Sequence, residues 1–420
     1  MAQKIKNQIF SEIGKLEDVI LHTPGPEVEN MTPQNAERAL YSDILNLQVA
    51  RRDYSQFHDV LQKLTNVHQV RDLLTEILNN PRVKEDLVGR IIKNEGAHEI
   101  MDNLLQQDSE ALSRQLIEGV VLTKDNLTKY LSRQRYSIRP LHNFFFTRDA
   151  AVTIHNKVLI NRMASKVRER ESMIMEAIFD YHPRFQTKTV NPVNHPSFTE
   201  EVSIEGGDVL IAREDVFLIG IGDRTTSQGI DFIIEKLKTH KSKRHILVQE
   251  LPLKPESFIH LDMVFTFLDK DACMVYEPVI LKPNRLQTVH IEIDNGKVCN
   301  IYQEENLLQG LKKLGMDLKP IYCGGNKDLW TQEREQWHSG ANFLSLEPGK
   351  VIGYERNTHT IEEMNNHGFE IIPALDIIND KVKLEDYKRA VITVEGSELP
   401  RGGGGARCMS MPVNRKPVKW

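Results

Sequence analysis

The chain has 420 residues, 40 % of them hydrophobic, and a formal net charge of −5 at pH 7. That is the make-up of a water-soluble globular protein with enough material for one large core or two domains. The slight acid excess and the lack of a long Lys/Arg run exclude general nucleic-acid binding, and no apolar run is long enough to span a membrane. The opening "MAQKIKNQIFSEIGKLED" has no apolar signal core, so a cytoplasmic protein is expected.

In chain order, the first compositional change falls at residues 70–134. "RDLLTEILNNPRVKEDLVGRIIKN" and "SEALSRQLIEGVVLTKDNLTKYLSRQ" carry apolar residues at three- and four-residue spacing, punctuated by Asn-Pro and Thr-Lys-Asp. They predict a small helical module inserted into a chain that otherwise alternates, so residues 1–69 and 135–420 would form one catalytic domain. "DVLIA" and "DVFLIGIG" predict two short strands, "TSQGIDFIIEKLKTH" a helix with Thr or Ser at its start, and "HILVQE" another strand. The same order returns in "NFLSLEPGKVIGYER", "THTIEEMNNHG" and "FEIIPA", with Pro-Gly as the hairpin turn. The recurrence predicts an α/β fold assembled from ββαβ units.

Polar residues gather at the edges of these apolar runs. Asn143, Phe146 and Asp149 precede a strand in "NFFFTRDAAVTI", and Glu205 and Asp208 flank two glycines in "EGGDVLIA". Arg224 stands at a turn before a helix in "GIGDRTTSQ", which lacks the third glycine and the lysine of a phosphate loop. His260 and Asp262 are two apart in "HLDMVFTFLD" and share a face if that stretch is extended. "RGGGGARCMSMP" places four glycines ahead of Cys408. The other cysteines are Cys273, Cys299 and Cys323, and none has CxxC spacing, so neither a disulfide frame nor a zinc site is expected.

Singly, each cluster has a plain structural reading: a surface ion pair for Asp149, a turn for Glu205, a satisfied histidine for His260, a loose tail for the glycines. Together they are the parts of a covalent thiol enzyme. A protease needs one histidine and one orienting group. Several carboxylates beside a thiol suit a planar cation with many donors, such as a guanidinium, whose central carbon is open to a thiolate.

"SEIGKLEDVILHTPG", "NFFFTRDA", "MASKVRERES", "EGGDVL", "GIGDRTTSQG", "HLDMVFTFLD", "REQWHSGANFLSLEPGKVIGYERNTHT" and "RCMSMPVNRKPVKW" resemble bacterial arginine deiminases, in the family's order over residues 11–420. The helical module stands where that family carries one. The resemblance implies a pentein fold, a five-bladed α/β propeller of ββαβ modules, and hydrolysis of L-arginine to citrulline and ammonia with no cofactor and no metal. It implies Cys408 as nucleophile, His260 as general acid and base, Glu205 as the partner of histidine and guanidinium, and Asp149 and Asp262 as the guanidinium grip. Arg168 and Arg224 would bind the substrate carboxylate, and Asn143, Phe146, Asn342 and Leu40 would line the site. Gly403 stands where many family members have a second loop arginine, and Tyr41, Ser42 and Ala150 also depart from the family's usual residues. A related amidinotransferase or protein-arginine deiminase is the alternative, and a binding protein without turnover would need a broken catalytic set. The expected partners are L-arginine and further copies of the chain, with no nucleic acid and no membrane.

Overall fold

The computed structural model describes residues 4–31, 43–185, 187–196 and 198–420. The helical stretch forms as its punctuation requires. Asn80 caps Pro81–Glu95 by accepting from the Arg82 amide at 3.1 Å, and Gly96, at φ 72°, ends it in the left-handed region. Asp108 caps Ser109–Glu118 by accepting from the Ala111 amide at 2.7 Å. Between them run Val70–Leu78 and Met101–Gln106. These helices bury Leu74, Leu87, Val88, Ile91 and Leu116 in one core with Phe144, Val158, Ile174, Ile178 and Met411 of the surrounding α/β structure. No separate core divides the helices from the sheets they adjoin.

The ββαβ pattern repeats around the chain. Val209–Arg213 and Val216–Ile221 form an antiparallel hairpin, Ser227–Leu237 follows under a Thr226 cap, and Arg244–Glu250 returns parallel to the second strand. Ala151–Ile154, Lys157–Ile160, the helix Glu169–Tyr181 and Thr189–Val190 make a second unit. Phe265–Asp269, Ala272–Val275 and Lys319–Tyr322 supply the strands of a third. That unit sends out an extra hairpin, Thr288–Asp294 and Lys297–Glu304, which joins the edge of the neighbouring sheet and widens it to five strands.

A fourth unit departs from the sequence expectation. Leu344–Glu347 and Lys350–Tyr354 pair as predicted, but the strand parallel to Lys350–Tyr354 is Ala390–Val394, and Glu370–Pro373 lies outside it at the edge. The reason is burial. "AVITV" is apolar along its whole length and buried at every position, as a central strand requires, whereas "EIIP" is mostly exposed and ends in a proline. The fifth unit joins both parts of the chain: Met411–Arg415 runs antiparallel to Leu16–Leu21, Leu47–Leu64 forms its helix, and Asn66–Gln69 lies parallel to Leu16–Leu21. The stretch holding His260 and Asp262 also differs. It tightens into a 3₁₀ turn, Leu261–Met263, instead of running extended.

A continuous core makes the helices and the adjoining sheet unfold together. Leu87→Ala, at a fully buried position, is expected to destabilise the chain by about 2–5 kcal/mol. Hydrogen exchange should then accelerate in Lys157–Ile160 as well as in Pro81–Glu95, while acceleration confined to the helices would show two independent cores.

Candidate active site

Cys408 is placed by close approach of backbone. A Cβ on Gly404 would meet Phe146 at 2.6 Å and the Cys408 Cβ at 2.9 Å, and one on Gly405 would meet Asn342 at 2.7 Å. Only glycine lets the loop lie this near both residues. The thiol that results is 2 % exposed. Asn342 clamps it: its Oδ1 accepts from the amides of Arg407 (2.9 Å) and Cys408 (3.2 Å), and its Nδ2 donates to the Cys408 sulfur at 3.2 Å. The Asp262 oxygens face the same sulfur at 3.7 and 3.9 Å. Burial, then Asp262 and Asp149, hold the thiol well above its ordinary pKa, so it is neutral in the substrate-free protein.

His260 stands on the opposite side of a carboxylate cluster. Its ring packs over Gly207, where a Cβ would fall 2.5 Å from it. Nε2 donates to Glu205 Oε2 at 2.9 Å, and Nδ1 faces Asp149 Oδ1 at 3.8 Å. Burial disfavours a charged imidazole, but Asp149 and Glu205 outweigh it and raise the pKa to about 9. Burial likewise opposes the Glu205 carboxylate, yet the bond from His260 and the charges of Arg224 and Arg168 bring it down to about 2. Asp208, buried without a cation of its own, is pushed up to about 7, and its Oδ1 accepts from the Leu261 amide at 2.8 Å, fixing the turn next to His260.

The two arginines differ in their commitments. Arg168 is buried with Nε and Nη2 on Glu171 (3.1 and 2.8 Å) and Nη1 on Asp149 Oδ2 at 2.8 Å. Among the described residues the nearest carboxylate to Arg224 is Glu205 at 3.9 Å. The other Asp149 oxygen, Oδ1, is buried and has no hydrogen-bond donor among the described residues, His260 Nδ1 standing 3.8 Å from it. A buried carboxylate oxygen without a donor is unfavourable, and a guanidinium N–H would satisfy it.

Of the residues named from sequence, Asn143, Phe146, Asp149, Arg168, Glu205, Arg224, His260 and Cys408 line one cavity of ≈ 20 Å³, together with Ile259, Gly402 and Gly403. That is room for about one water molecule, and Ile259, Gly402 and Gly403 form its outer wall. Beyond that wall a pocket of ≈ 490 Å³ shares Arg224, Ile259 and Gly403 with it. Asn342 and Asp262 stand behind the sulfur and not in the cavity wall, and Leu40 lies outside the described residues. Asp149, Glu205 and His260 have ligand atoms within 4.8 Å of one another, and the charged His260 already occupies the two carboxylates as their cation.

Four important residues escaped the sequence reading. Arg407 donates to Asp262 Oδ2 at 2.7 Å and to both oxygens of Glu12 at 3.0 and 3.1 Å. Glu12 is brought down to about 2: burial opposes it, and Arg407 and Arg148 prevail. Glu171 holds Arg168 in the manner described, and the Arg148 amide donates to the Cys408 carbonyl at 3.1 Å. Proximity of Arg407 to Cys408 was the one available signal. Glu12, 395 positions away, gave none.

A family model described as arginine deiminase matches residues 37–415. An arginine deiminase from Bacillus cytotoxicus is 34 % identical over 431 residues, spanning 98 % of this chain and 98 % of that protein. One from Bacillus cereus is 33 % identical over 434 residues, again spanning 98 % of each. Among solved structures, SxtG, an amidinotransferase from Microseira wollei, matches with a TM-score of 0.55 at 14 % identity over 98 % of each chain. The N-terminal domain of ArgZ, an arginine dihydrolase from cyanobacteria, matches with a TM-score of 0.52 at 13 % identity, over 95 % of this chain and 97 % of that one. At such identities the two structures speak for the fold alone, which is the pentein α/β fold.

The His260–Glu205 pair titrates at both ends of the pH scale. His260, raised from 6.5 to about 9, contributes stability that is complete below pH 6.5 and is lost as pH rises through about 9. Glu205, lowered from 4.5 to about 2, contributes stability that is complete above pH 4.5 and is lost as pH falls through about 2. An NMR titration of the His260 ring is expected to show a midpoint near 9, falling in Glu205→Gln. A wild-type midpoint at or below 6.5 would contradict this electrostatic picture.

Proposed function

The chain belongs to the arginine deiminase family, and on that premise we propose that this cavity hydrolyses L-arginine to citrulline and ammonia through a thioether bond to Cys408. The observation that carries the reading is the donor-free Asp149 oxygen in the same buried cavity as the Cys408 thiol. A guanidinium donating to Asp149 within this cavity presents its carbon to the sulfur, and Asp262, behind the sulfur, adds its negative charge from the far side. The incoming cation offsets the carboxylates that keep the thiol neutral, and the thiol proton leaves to solvent. The thiolate bonds to the guanidinium carbon. His260, charged in the resting protein, passes its proton to one nitrogen, which departs as ammonia and leaves a thiouronium on Cys408. The neutral imidazole then takes a proton from water, hydroxide adds to the same carbon, and collapse of the adduct breaks the carbon–sulfur bond and frees citrulline.

Arg168 and Arg224 were both expected at the substrate carboxylate, but their unequal commitments support different work for them. Arg224, at the neck between the cavity and the outer pocket, receives the α-carboxylate. Arg168, held by Glu171, keeps Asp149 aimed at the guanidinium. Gly403, at φ 86° with no atom of the described residues within 4 Å of the site of a Cβ, lines this neck where many family members carry a further arginine. The free cysteines at 273, 299, 323 and 408 support a reducing, cytoplasmic setting. The outward side chains of Leu329, Trp330 and Trp337 support self-association. Among the described residues no helix is long and apolar enough to cross a membrane.

Purified protein offered L-arginine, agmatine and a peptidyl arginine should release citrulline and ammonia from L-arginine. Loss of one charge-assisted contact, about 1.5–3 kcal/mol, predicts that Arg224→Ala raises KM for L-arginine about ten- to a hundredfold. It should leave any weak activity on agmatine, which has no carboxylate, unchanged. Arg168→Ala should lower kcat on both. Equal losses on both substrates in Arg224→Ala would overturn the assignment of the carboxylate to Arg224.

A further inference from the structure

The hairpin that widens the sheet of Val209–Arg213, Val216–Ile221 and Arg244–Glu250 brings together a polar cluster with no part in the cavity. Strand Thr288–Asp294 runs antiparallel to Arg244–Glu250 with His245 opposite Glu292 and Leu247 opposite His290. Residues two apart on one strand share a face, so His245, His290 and Glu292 project from the same side of the sheet. Their ligand atoms all lie within 4.8 Å of one another. His245 Nδ1 and His290 Nε2 point at each other across 2.9 Å.

The second layer of contacts is already built. His290 Nδ1 faces Glu304 Oε1 at 3.0 Å and the Tyr302 hydroxyl at 2.9 Å; the Glu304 carboxylate, held by Lys313 at 2.5 Å, can only accept, so Nδ1 is the donor. This fixes the His290 tautomer and leaves the Nε2 lone pair directed into the cluster. A histidine whose far nitrogen is bonded to a carboxylate is the usual supporting arrangement of a metal ligand. The Tyr302 hydroxyl donates to Glu292 Oε1 at 3.3 Å, steadying the third group. His245 and His290 are 7 % and 1 % exposed, whereas Glu292 lies at the rim, so an ion has one open approach.

We propose that His245, His290 and Glu292 form a zinc-type divalent metal site that pins the extra hairpin to strand Arg244–Glu250. Two imidazoles and one carboxylate are the donor set that zinc takes with a water as fourth ligand. Zn–N bonds of about 2.0–2.1 Å at tetrahedral angles hold donor atoms about 3.3 Å apart, so the histidines need only a small separation. On binding, His245 moves its ring proton from Nδ1 to Nε2, and both facing lone pairs go to the ion. No residue of the cluster lines the catalytic cavity, so the site acts on the stability of the hairpin and not on the chemistry.

The test is calorimetric titration of the metal-free full-length protein with Zn²⁺, with Co²⁺ as the spectroscopic probe. Cys408→Ser serves as the background, so that the catalytic thiol cannot bind the probe. The expected result is one equivalent bound, with a four-coordinate nitrogen–oxygen cobalt spectrum and a rise in Tm. His245→Asn and His290→Asn should each weaken binding at least a hundredfold, and Glu304→Gln about ten- to a hundredfold through the loss of its support to His290. With Cys408 intact, His245→Asn should keep full arginine hydrolysis. Glu292→Gln, at the rim of the sheet, serves if a histidine variant fails to fold. Absence of binding to the Cys408→Ser protein, or binding equally strong in the histidine and Glu292 variants, would overturn the proposal.

Discussion

The site depends on one buried guanidinium. Arg407 grips both oxygens of Glu12 and one oxygen of Asp262, and so ties the segment before the first strand and the turn after His260 to the residue beside the nucleophile. A buried bidentate pair is sensitive to geometry, and removing one partner leaves an uncompensated charge at a cost of about 3–5 kcal/mol. Three parts of the chain with no local reason to meet are thereby held in register. Asn342 completes the clamp by accepting from the Arg407 and Cys408 amides. Gly404 and Gly405 are the steric counterpart of this bonding, since there the loop approaches Phe146 and Asn342 too closely for any side chain.

From that placement the electrostatics follow. Burial, then Asp262 and Asp149, keep the sulfur protonated, and Asp149, Glu205 and Asp208 keep His260 charged against the opposition of burial. On the proposed mechanism the resting site stores a proton on the imidazole, where the leaving nitrogen would need it, and substrate binding switches the thiol while leaving that proton for the next step. Asp149 is the acid common to both effects.

Much of this was legible in the sequence. The hairpins at residues 209–221 and 344–354 and the helix under Thr226 followed from period, cap and turn chemistry. Eight residues proposed from clusters and resemblance line one cavity. The strand order of the fourth unit was not legible, because local pattern gives strands and not neighbours, and "FEIIPA" and "AVITV" compete for the same place. Arg407 and Glu12 were missed because a buried ion pair across 395 positions leaves no local period to read. Arg168 carries no sign in the sequence that Glu171, three residues on, will take its guanidinium first. The cluster of His245, His290 and Glu292 was hidden for a similar reason: its members meet only through cross-strand register.

The central claim is that the arginine carbon is carried on Cys408. Acid-quenched single turnover of the wild-type protein with L-arginine, followed by peptide mapping in a mass spectrometer, tests it most directly. The account predicts a transient addition of arginine less ammonia on the peptide holding Cys408, with Cys273, Cys299 and Cys323 unmodified. An adduct on one of those three, or citrulline production that persists in Cys408→Ser, would contradict it.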